Sequence, residues 1–442
     1  MDKLNKEILN LAVPSIISNI TVPLLGLVDV AIVGHIGNET YIGAIAIGSM
    51  LFNVVYWVFG FLRMGTSGMT SQAYGRRDLQ EAMRLLVRVL TVAFAIALCF
   101  IVCQIPLLKL GVWLMNTPEE SVLLVKKYFL IVIWGAPATL GLYGITGWFV
   151  GMQNTRIPMM VAILQNITNI IVSLCLVFGW GMQIEGVATG TLVAQWTGFL
   201  FALLLWRIKY KKLLKFISVR VSVSSLRSQA ADWWHFFAVN RDIFLRTLCL
   251  VAVNMFFTSA GASFGATILA VNTLLMQLFM LFSYVMDGFA YAGEAMTGKY
   301  LGAANYQALH RTVRRLFVWG GGMVCLFTVV YAVGGSAFLS LLTSDEGVVT
   351  AAVEFLPWAI AVPAFGVAAF IYDGVFIGTT ETRGMLVSSA VATVAFFAVY
   401  LLLEKNFGNH ALWLAFIIFL MGRGGVQWWV WRKNKRKSFF SR

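Results

Sequence analysis

Acidic side chains are scarce in this chain. Of 442 residues only 19 are Asp or Glu, and charged residues of both signs make up 12%. An ordinary soluble domain is about 25% charged and about half apolar. Here the apolar share is 60%, more than a soluble fold of this length can hide, so the bilayer is the solvent for most of the chain. Histidine is rarer still, with four residues. His35, His235, His310 and His410 are all read as loop residues, which excludes a histidine proton relay inside the membrane. Cys99, Cys103, Cys175, Cys249 and Cys325 all fall within apolar runs and form no metal-ligand cluster, so neither a disulfide framework nor a metal site is expected. No loop carries the His/Asp or Asp/Glu cluster that a membrane-embedded acyl- or glycosyltransferase would need.

What the chain has in abundance is long apolar runs. A helix needs about 20 such residues to cross about 30 Å of hydrocarbon. Twelve spans are read, at 11–33, 41–63, 85–108, 122–149, 157–179, 186–206, 243–264, 268–291, 316–342, 351–377, 385–403 and 410–431. Outer-membrane barrels alternate over about ten residues per strand; these runs are continuous and longer, so the fold is all-α and integral to the membrane. The first run contains Asp29 and no cleavage site follows it, so it is read as a retained span rather than a signal peptide.

The net charge of +14 is a topology signal rather than a nucleic-acid footprint. Lys3, Lys6, Arg76, Arg77, Arg84, Arg88, Arg156, the run Lys209–Arg227, Lys299, Arg311, Arg314, Arg315, Arg383 and the tail from Arg432 fall on one side of the predicted spans. The opposite loops carry only Lys109, Lys126, Lys127 and Lys405. The positive-inside rule then makes both termini cytoplasmic, with a secondary attraction to anionic lipid.

At an offset of about 227 residues the second half echoes the first. Gly151-Met152-Gln153-Asn154-Thr155-Arg156 meets Gly378-Thr379-Thr380-Glu381-Thr382-Arg383, Ala136-Pro137-Ala138 meets Val362-Pro363-Ala364, and Trp206-Arg207 meets Trp431-Arg432. Six spans per half start each half on the same side. The expected plan is two parallel six-helix repeats, 1–215 and 241–442, joined by a cytoplasmic linker at 216–240 that includes a short amphipathic surface helix around Leu226–Phe237. Such a plan leaves a cleft that can open alternately to each side.

A charge inside a span costs at least about 2.5–3.5 kcal/mol, so those that remain are functional candidates. Asp29 stands about 27 Å of helix beyond Leu11, on a helix carrying Pro14 and Pro23, each of which removes a backbone hydrogen bond and favours a bend. A titratable group on a bendable helix suits a proton-driven switch. Asp287 in span 8 is a second candidate, or else the partner of Arg63 or Arg246. Asp373 in span 10 and Glu294 in span 8 lie nearer the cytoplasmic ends, and Arg63 and Arg423 are read as snorkelling to the interface. In the repeat alignment Asp29 meets Phe256, Asp287 meets Gly60, and Asp373 meets Gly147: the acids do not share the symmetry of the scaffold. Uncharged polar residues recur at helical spacing: Asn166, Asn169 and Ser173 in span 5, Thr191 and Gln195 in span 6, Asn254 and Thr258 in span 7, and Asn272 and Gln277 in span 8. That spacing suits either a wet substrate cavity or interhelical hydrogen bonds.

The strings Gly26-Leu27-Val28-Asp29, Phe61-Leu62-Arg63-Met64, Asn240-Arg241-Asp242-Ile243, Asp287-Gly288-Phe289-Ala290-Tyr291-Ala292-Gly293-Glu294 and Asp373-Gly374-Val375-Phe376-Ile377-Gly378 resemble the multidrug and toxic compound extrusion (MATE) exporters, in particular their DinF-type branch within the MOP superfamily. The resemblance implies export of amphipathic, often cationic, organic compounds against an inward H⁺ or Na⁺ gradient, with no cofactor and no metal. It matches Asp29 to the proton-binding aspartate of the first helix and Pro14 to the proline where that helix bends. Asn169 and Thr191 match the N-half site, while Ser173 stands where the family often has a second carboxylate; coupling then rests on Asp29 alone or leans on Asp287 and Asp373. The resulting expectation is a monomeric H⁺-coupled antiporter of the bacterial inner membrane, with Na⁺ as the alternative ion. A lipid-linked precursor flippase of the same superfamily and a non-transporting receptor remain as rivals.

Overall fold

The computed structural model describes residues 2–34, 39–115, 117–216, 223–343 and 345–440; the side chains at 22–31, 33–34, 39–40, 42, 223–229 and 434–440 are outside that description. The helices, in chain order, are α1 (Lys3–Gly34), α2 (Glu39–Val58), α3 (Phe61–Gly75), α4 (Leu79–Val102), α5 (Gln104–Leu114), α6 (Glu119–Val132), α7 (Ala136–Gly151), α8 (Arg156–Leu174) and α9 (Ile184–Tyr210). They continue with α10 (Val223–Ser263), α11 (Ala266–Gly302), α12 (Tyr306–Leu342), α13 (Glu346–Thr379), α14 (Thr382–Phe407) and α15 (Asn409–Phe440). Among the described residues, eleven helical stretches are long and apolar enough to cross a membrane, and α1 has 32 residues.

The helices divide into two compact units. One is Val13–Asp232; the other joins Met1–Ala12 to Trp233–Arg442. The repeat is visible within each unit taken by itself. In the first, α3 packs on α7; in the second, their counterparts α11 and α13 pack together. At Gly147 a Cβ would run into the backbone carbonyl of Arg63, and at Gly374 into that of Ala290. These pairs stand at the same repeat offset, so glycine in each half lets two backbones touch. The register they set pairs Gly147 with Gly374. Asp373 therefore corresponds to Thr146, one residue from the Gly147 match read from the sequence.

Helix ends repeat as well. Four non-glycine residues with positive φ are described: Arg77 (62°), Gln153 (62°), Ala304 (52°) and Thr380 (54°). They form two pairs at the repeat offset, each the left-handed residue that closes a helix. After it the chain's next N–H returns to the helix, as in Asp78 N–H to the Ala73 carbonyl at 2.9 Å and Asn305 N–H to the Tyr300 carbonyl at 2.8 Å, the Schellman arrangement. Asp78 and Asn305 then cap the following helices, accepting from Glu81 N–H at 2.9 Å and Ala308 N–H at 3.0 Å.

Several expectations need correction. Span 2 is not one rod: α2 stops at Val58 and α3 starts at Phe61, with the Leu62 N–H bonded three residues back to the Phe59 carbonyl at 3.1 Å. Span 3 ends at Val102 rather than 108, and α5 follows as a separate helix containing Pro106. The amphipathic helix expected around Leu226–Phe237 is continuous with span 7 in α10. His235, His310 and His410 lie on α10, α12 and α15 rather than in loops; His35 is outside the described residues. The second unit's core gathers Phe257, Phe282, Phe396, Trp413 and Phe416, a packed interior of the kind bilayer helices use when lipid offers no hydrophobic drive between them.

Gly374→Ala is expected to destabilise the protein by about 1–3 kcal/mol, since the added methyl would sit 2.7 Å from the Ala290 Cα. Gly321→Ala, with nothing within 4 Å, is expected to be neutral or slightly stabilising. Thermal unfolding of the two variants in detergent compares them.

Candidate functional site

Three polar residues of the first unit form one connected chain. Asn169 Nδ2 donates to Thr191 Oγ1 at 3.1 Å, and Ser173 Oγ donates to Asn169 Oδ1 at 3.4 Å. Asn169 and Ser173 are fully buried. The contact between α8 and α9 depends on Gly190, where a Cβ would lie 3.0 Å from the Ser173 backbone nitrogen. Asn166, one turn earlier, donates to the Thr21 carbonyl of α1 at 2.8 Å. Gln195 is buried beside Gly135, where a Cβ would collide with its amide. Asn169, Ser173 and Thr191 are thus brought onto the facing sides of α8 and α9, while Asn166 turns to α1 and Gln195 to the backbone at Gly135. Pro14 lies within the continuous helix α1. The side chains of Asp29 and Pro23, on the same helix, lie outside the described residues.

The second unit holds a buried charge cluster. Asp373 on α13 accepts at Oδ2 from Arg246 Nη2 of α10 and from Arg423 Nη2 of α15, the latter at 2.5 Å. Its Oδ1 accepts from Gln427 Nε2 at 2.6 Å. All four side chains are buried. The snorkelling reading of Arg423 is therefore overturned: the residue is 4% exposed and its guanidinium is bound to Asp373. Arg63 is likewise buried, at 9%. Arg246 pairs with Asp373; Asp287, half-buried on α11, lies within electrostatic range of Arg423 and Tyr284. Two guanidinium groups and one carboxylate in a dry interior are tolerable only with such paired, hydrogen-bonded geometry.

The other polar residues of this unit behave differently. Asn272 and Asn409 exchange amide hydrogen bonds at 2.7 and 3.0 Å, and Trp413 Nε1 donates to Asn272 Oδ1 at 2.9 Å. Asn254 donates to its own helix at the Leu250 carbonyl, 2.9 Å away, and Thr258 returns to the Asn254 carbonyl at 3.2 Å. Gln277 is exposed. The structure thus gathers Asp373 with Arg246 and Arg423 but leaves Asn254, Asn272 and Gln277 in three separate settings. Gln427 and Asn409 were missed in the sequence. Gln427 had a signal, standing one turn after Arg423 on the same face of span 12; Asn409, at the very start of α15, had none.

Long apolar helices in two repeats, with buried charges retained inside them, are the architecture of a multi-pass membrane protein. The MatE family model matches residues 14–175 and 243–401, falling on both repeats. The chain belongs to the MatE family. It is 38% identical over 98% of its length to DNA damage-inducible protein F of Escherichia coli, covering 93% of that protein. It is 19% identical over 91% of its length to the multidrug export protein MepA of Staphylococcus aureus, covering 88% of it. Among solved structures, the MATE transporter VcmN of Vibrio cholerae in the bent form shares its fold with a TM-score of 0.85 at 20% identity, over 98% of this chain and 97% of that one. A MOP superfamily transporter from Pyrococcus furiosus also has a TM-score of 0.85, at 18% identity over 98% of this chain and 96% of that one.

Arg423→Met is expected to cost about 3 kcal/mol of stability, because it removes one charged donor from a buried carboxylate and leaves it with Arg246 and the neutral Gln427 amide. Asn272→Ala is expected to cost about 1–2 kcal/mol by orphaning the Asn409 amide and the Trp413 N–H. Denaturant unfolding in detergent, followed by Trp fluorescence, measures both.

Proposed function

We propose that the protein is a secondary active exporter of amphipathic or cationic organic compounds, exchanging them for H⁺ by alternating access, with Na⁺ as the alternative ion. The observation that carries this reading is the match of both repeats to one transporter family along nearly the whole chain. The relative MepA, named as a multidrug export protein, supports the substrate class. The positive-inside pattern supports an inner-membrane protein with both termini in the cytoplasm. No step in this reading calls for a cofactor, a metal, an enzymatic reaction or a second subunit.

In this reading Asp29 binds the coupling proton, and the polar chain Asn169–Thr191–Ser173 faces the same N-half site. Ser173 cannot supply a second carboxylate, so a single acid carries the charge change there. Protonation removes both that charge and its desolvation cost, and α1 bends near Pro14 and Pro23. Asp287 and Asp373 form the C-half contribution. Asp373 accepts three donors and acts through its arginines, whereas Asp287 stands at the edge of that cluster. Substrate contacts within the first unit are assigned to Asn166, Ser173 and Gln195; within the second the candidates Asn254, Asn272 and Gln277 stand apart, and Asn272 is engaged by Asn409 and Trp413.

Proteoliposomes with ΔpH and ΔNa⁺ imposed separately test the proposal, using efflux of a fluorescent lipophilic cation. ΔpH alone should drive efflux in the parent, and Asp29→Asn should reduce it at least about tenfold, since one titratable group carries the coupling free energy. Undiminished efflux would sink the Asp29 assignment. Efflux under ΔNa⁺ alone would reassign the ion. Dye binding without flux would indicate a receptor, and movement of a lipid-linked precursor analogue without dye efflux a flippase.

A further inference from the structure

The second unit carries a basic cavity that the transport reading does not use. Its volume is about 540 Å³, and it lies where the start of α1 meets α11 and α12. Four cations line it, Lys3, Arg311, Arg314 and Arg315, against two acids, Asp2 and Glu7. Both acids are engaged: Asp2 pairs with Arg315 at 3.5 Å, and Glu7 with Lys299 at 3.6 Å and with the Tyr300 hydroxyl, which donates to it at 3.3 Å. Lys3, Arg311 and Arg314 have no carboxylate partner among the described residues. The cavity therefore has an excess of cations facing open space.

Below the arginines the same helix changes character without changing face. Continuing from Arg311 and Arg315 at helical spacing come Val318, Gly322, Leu326, Val329 and Val333, all exposed. Val333 is 84% exposed, which only a hydrocarbon environment accommodates at this length of apolar stripe. Trp319 stands between the two zones and donates from Nε1 to Asn5 Oδ1 at 3.3 Å, the amphipathic anchor typical of the headgroup level. A phosphate-sized anion would sit among the guanidinium groups while two acyl chains ran along α12.

We propose that this cavity binds a glycerophospholipid with a net negative headgroup, its phosphate held by Arg311, Arg314 and Lys3 and its chains laid against the Val318–Val333 face. Basic pockets beside membrane helices on the cytoplasmic side recognise anionic headgroups through the same charge complementarity, and Arg offers a planar fork of donors to phosphate. The continuity of the cationic cluster with the apolar stripe distinguishes a lipid from free phosphate, which would need only the first. Because Lys3, Leu4 and Glu7 of α1 belong to the cavity, a bound lipid would also hold the beginning of that helix in place.

Native mass spectrometry of the purified full-length protein, titrated with phosphatidylglycerol or with phosphatidylcholine of the same chains, tests this. Phosphatidylglycerol should bind the more tightly. Arg311→Gln with Arg314→Gln should weaken it by about thirtyfold, the loss of two cations at a membrane surface. The charge-keeping pair Arg311→Lys with Arg314→Lys should retain most of the binding, and Arg84→Gln, at an exposed cation of the other unit, should change nothing. Equal binding of the two lipids would overturn the proposal, as would indifference to the double Gln substitution in a protein with an unchanged melting temperature. So would displacement of phosphatidylglycerol by glycerol phosphate at the same concentration.

Discussion

The close contact of α13 on α11 is the constraint from which much of the second unit follows. Gly374 lies against the Ala290 carbonyl because any Cβ there would overlap it, and Gly378 repeats the contact one turn on, against the Glu294 carbonyl. Two such steps lock the rotation of α13 about its axis. With Gly374 turned to α11, its neighbour Asp373 must project about 100° away along a 3.6-residue helix. That direction carries it to Arg246 of α10 and to Arg423 and Gln427 of α15. Glycine packing thus places the carboxylate, and the carboxylate gathers three helices.

The first unit builds the same contact and uses it differently. Gly147 and Gly151 rest on the α3 backbone at Arg63 and Ser67, so α7 is locked in an equivalent rotation. The residue that projects where Asp373 does is Thr146, an uncharged side chain. At the same offset the places of Arg246 and Arg423 are held by Asn19 and Trp196, and the polar work of this unit moves to α8 and α9, where Gly190 lets Thr191 reach Asn169. The shared scaffold therefore carries the Asp373 cluster in one unit and a neutral hydrogen-bonded chain in the other. Burying a neutral amide–hydroxyl chain costs far less than burying charge, so this unit can alter its polar contacts at lower cost.

Much of this was legible because it is local. Apolar runs reported the spans, basic residues reported a side, and the repeated Gly-x-x-Asn/Glu-Thr-Arg segments marked matching helix ends, which the paired left-handed residues Gln153 and Thr380 bear out. The charged residues inside spans were also visible one at a time. Their pairing was not. Arg246 and Asp373 are 127 residues apart in sequence, and nothing in either span records which face meets which. Reading Arg423 alone favoured the interface, since an isolated arginine near a helix end lowers its cost by reaching water; a buried carboxylate reverses that preference. The break between Val58 and Phe61 escaped notice because hydropathy does not change across it. Its counterpart in α11 runs straight through Asp287.

The unit boundaries add one further consequence of the repeat. Residues Met1–Ala12 pack with the second unit, and the chain as far as Asp232, already inside α10, packs with the first. The contacts within each unit match. Asp232 accepts from Arg88 Nη2 of α4 at 2.8 Å, and Asp2 pairs with Arg315 of α12 at 3.5 Å. Arg88 and Arg315 stand at the repeat offset, so each unit uses the equivalent arginine to hold an acid just before or within the first turns of a long helix belonging mostly to the other unit. α1 and α10 are therefore members of both units, each anchored at its beginning in one and packed along its length in the other. α1 has Pro14 within two residues of its boundary at Ala12, where a backbone hydrogen bond is missing. α10 has no proline and runs unbroken for 41 residues from Val223 to Ser263. The two equivalent connections thus differ in their backbone hydrogen bonding: α1 lacks one bond beside its boundary, and α10 has no proline to remove one.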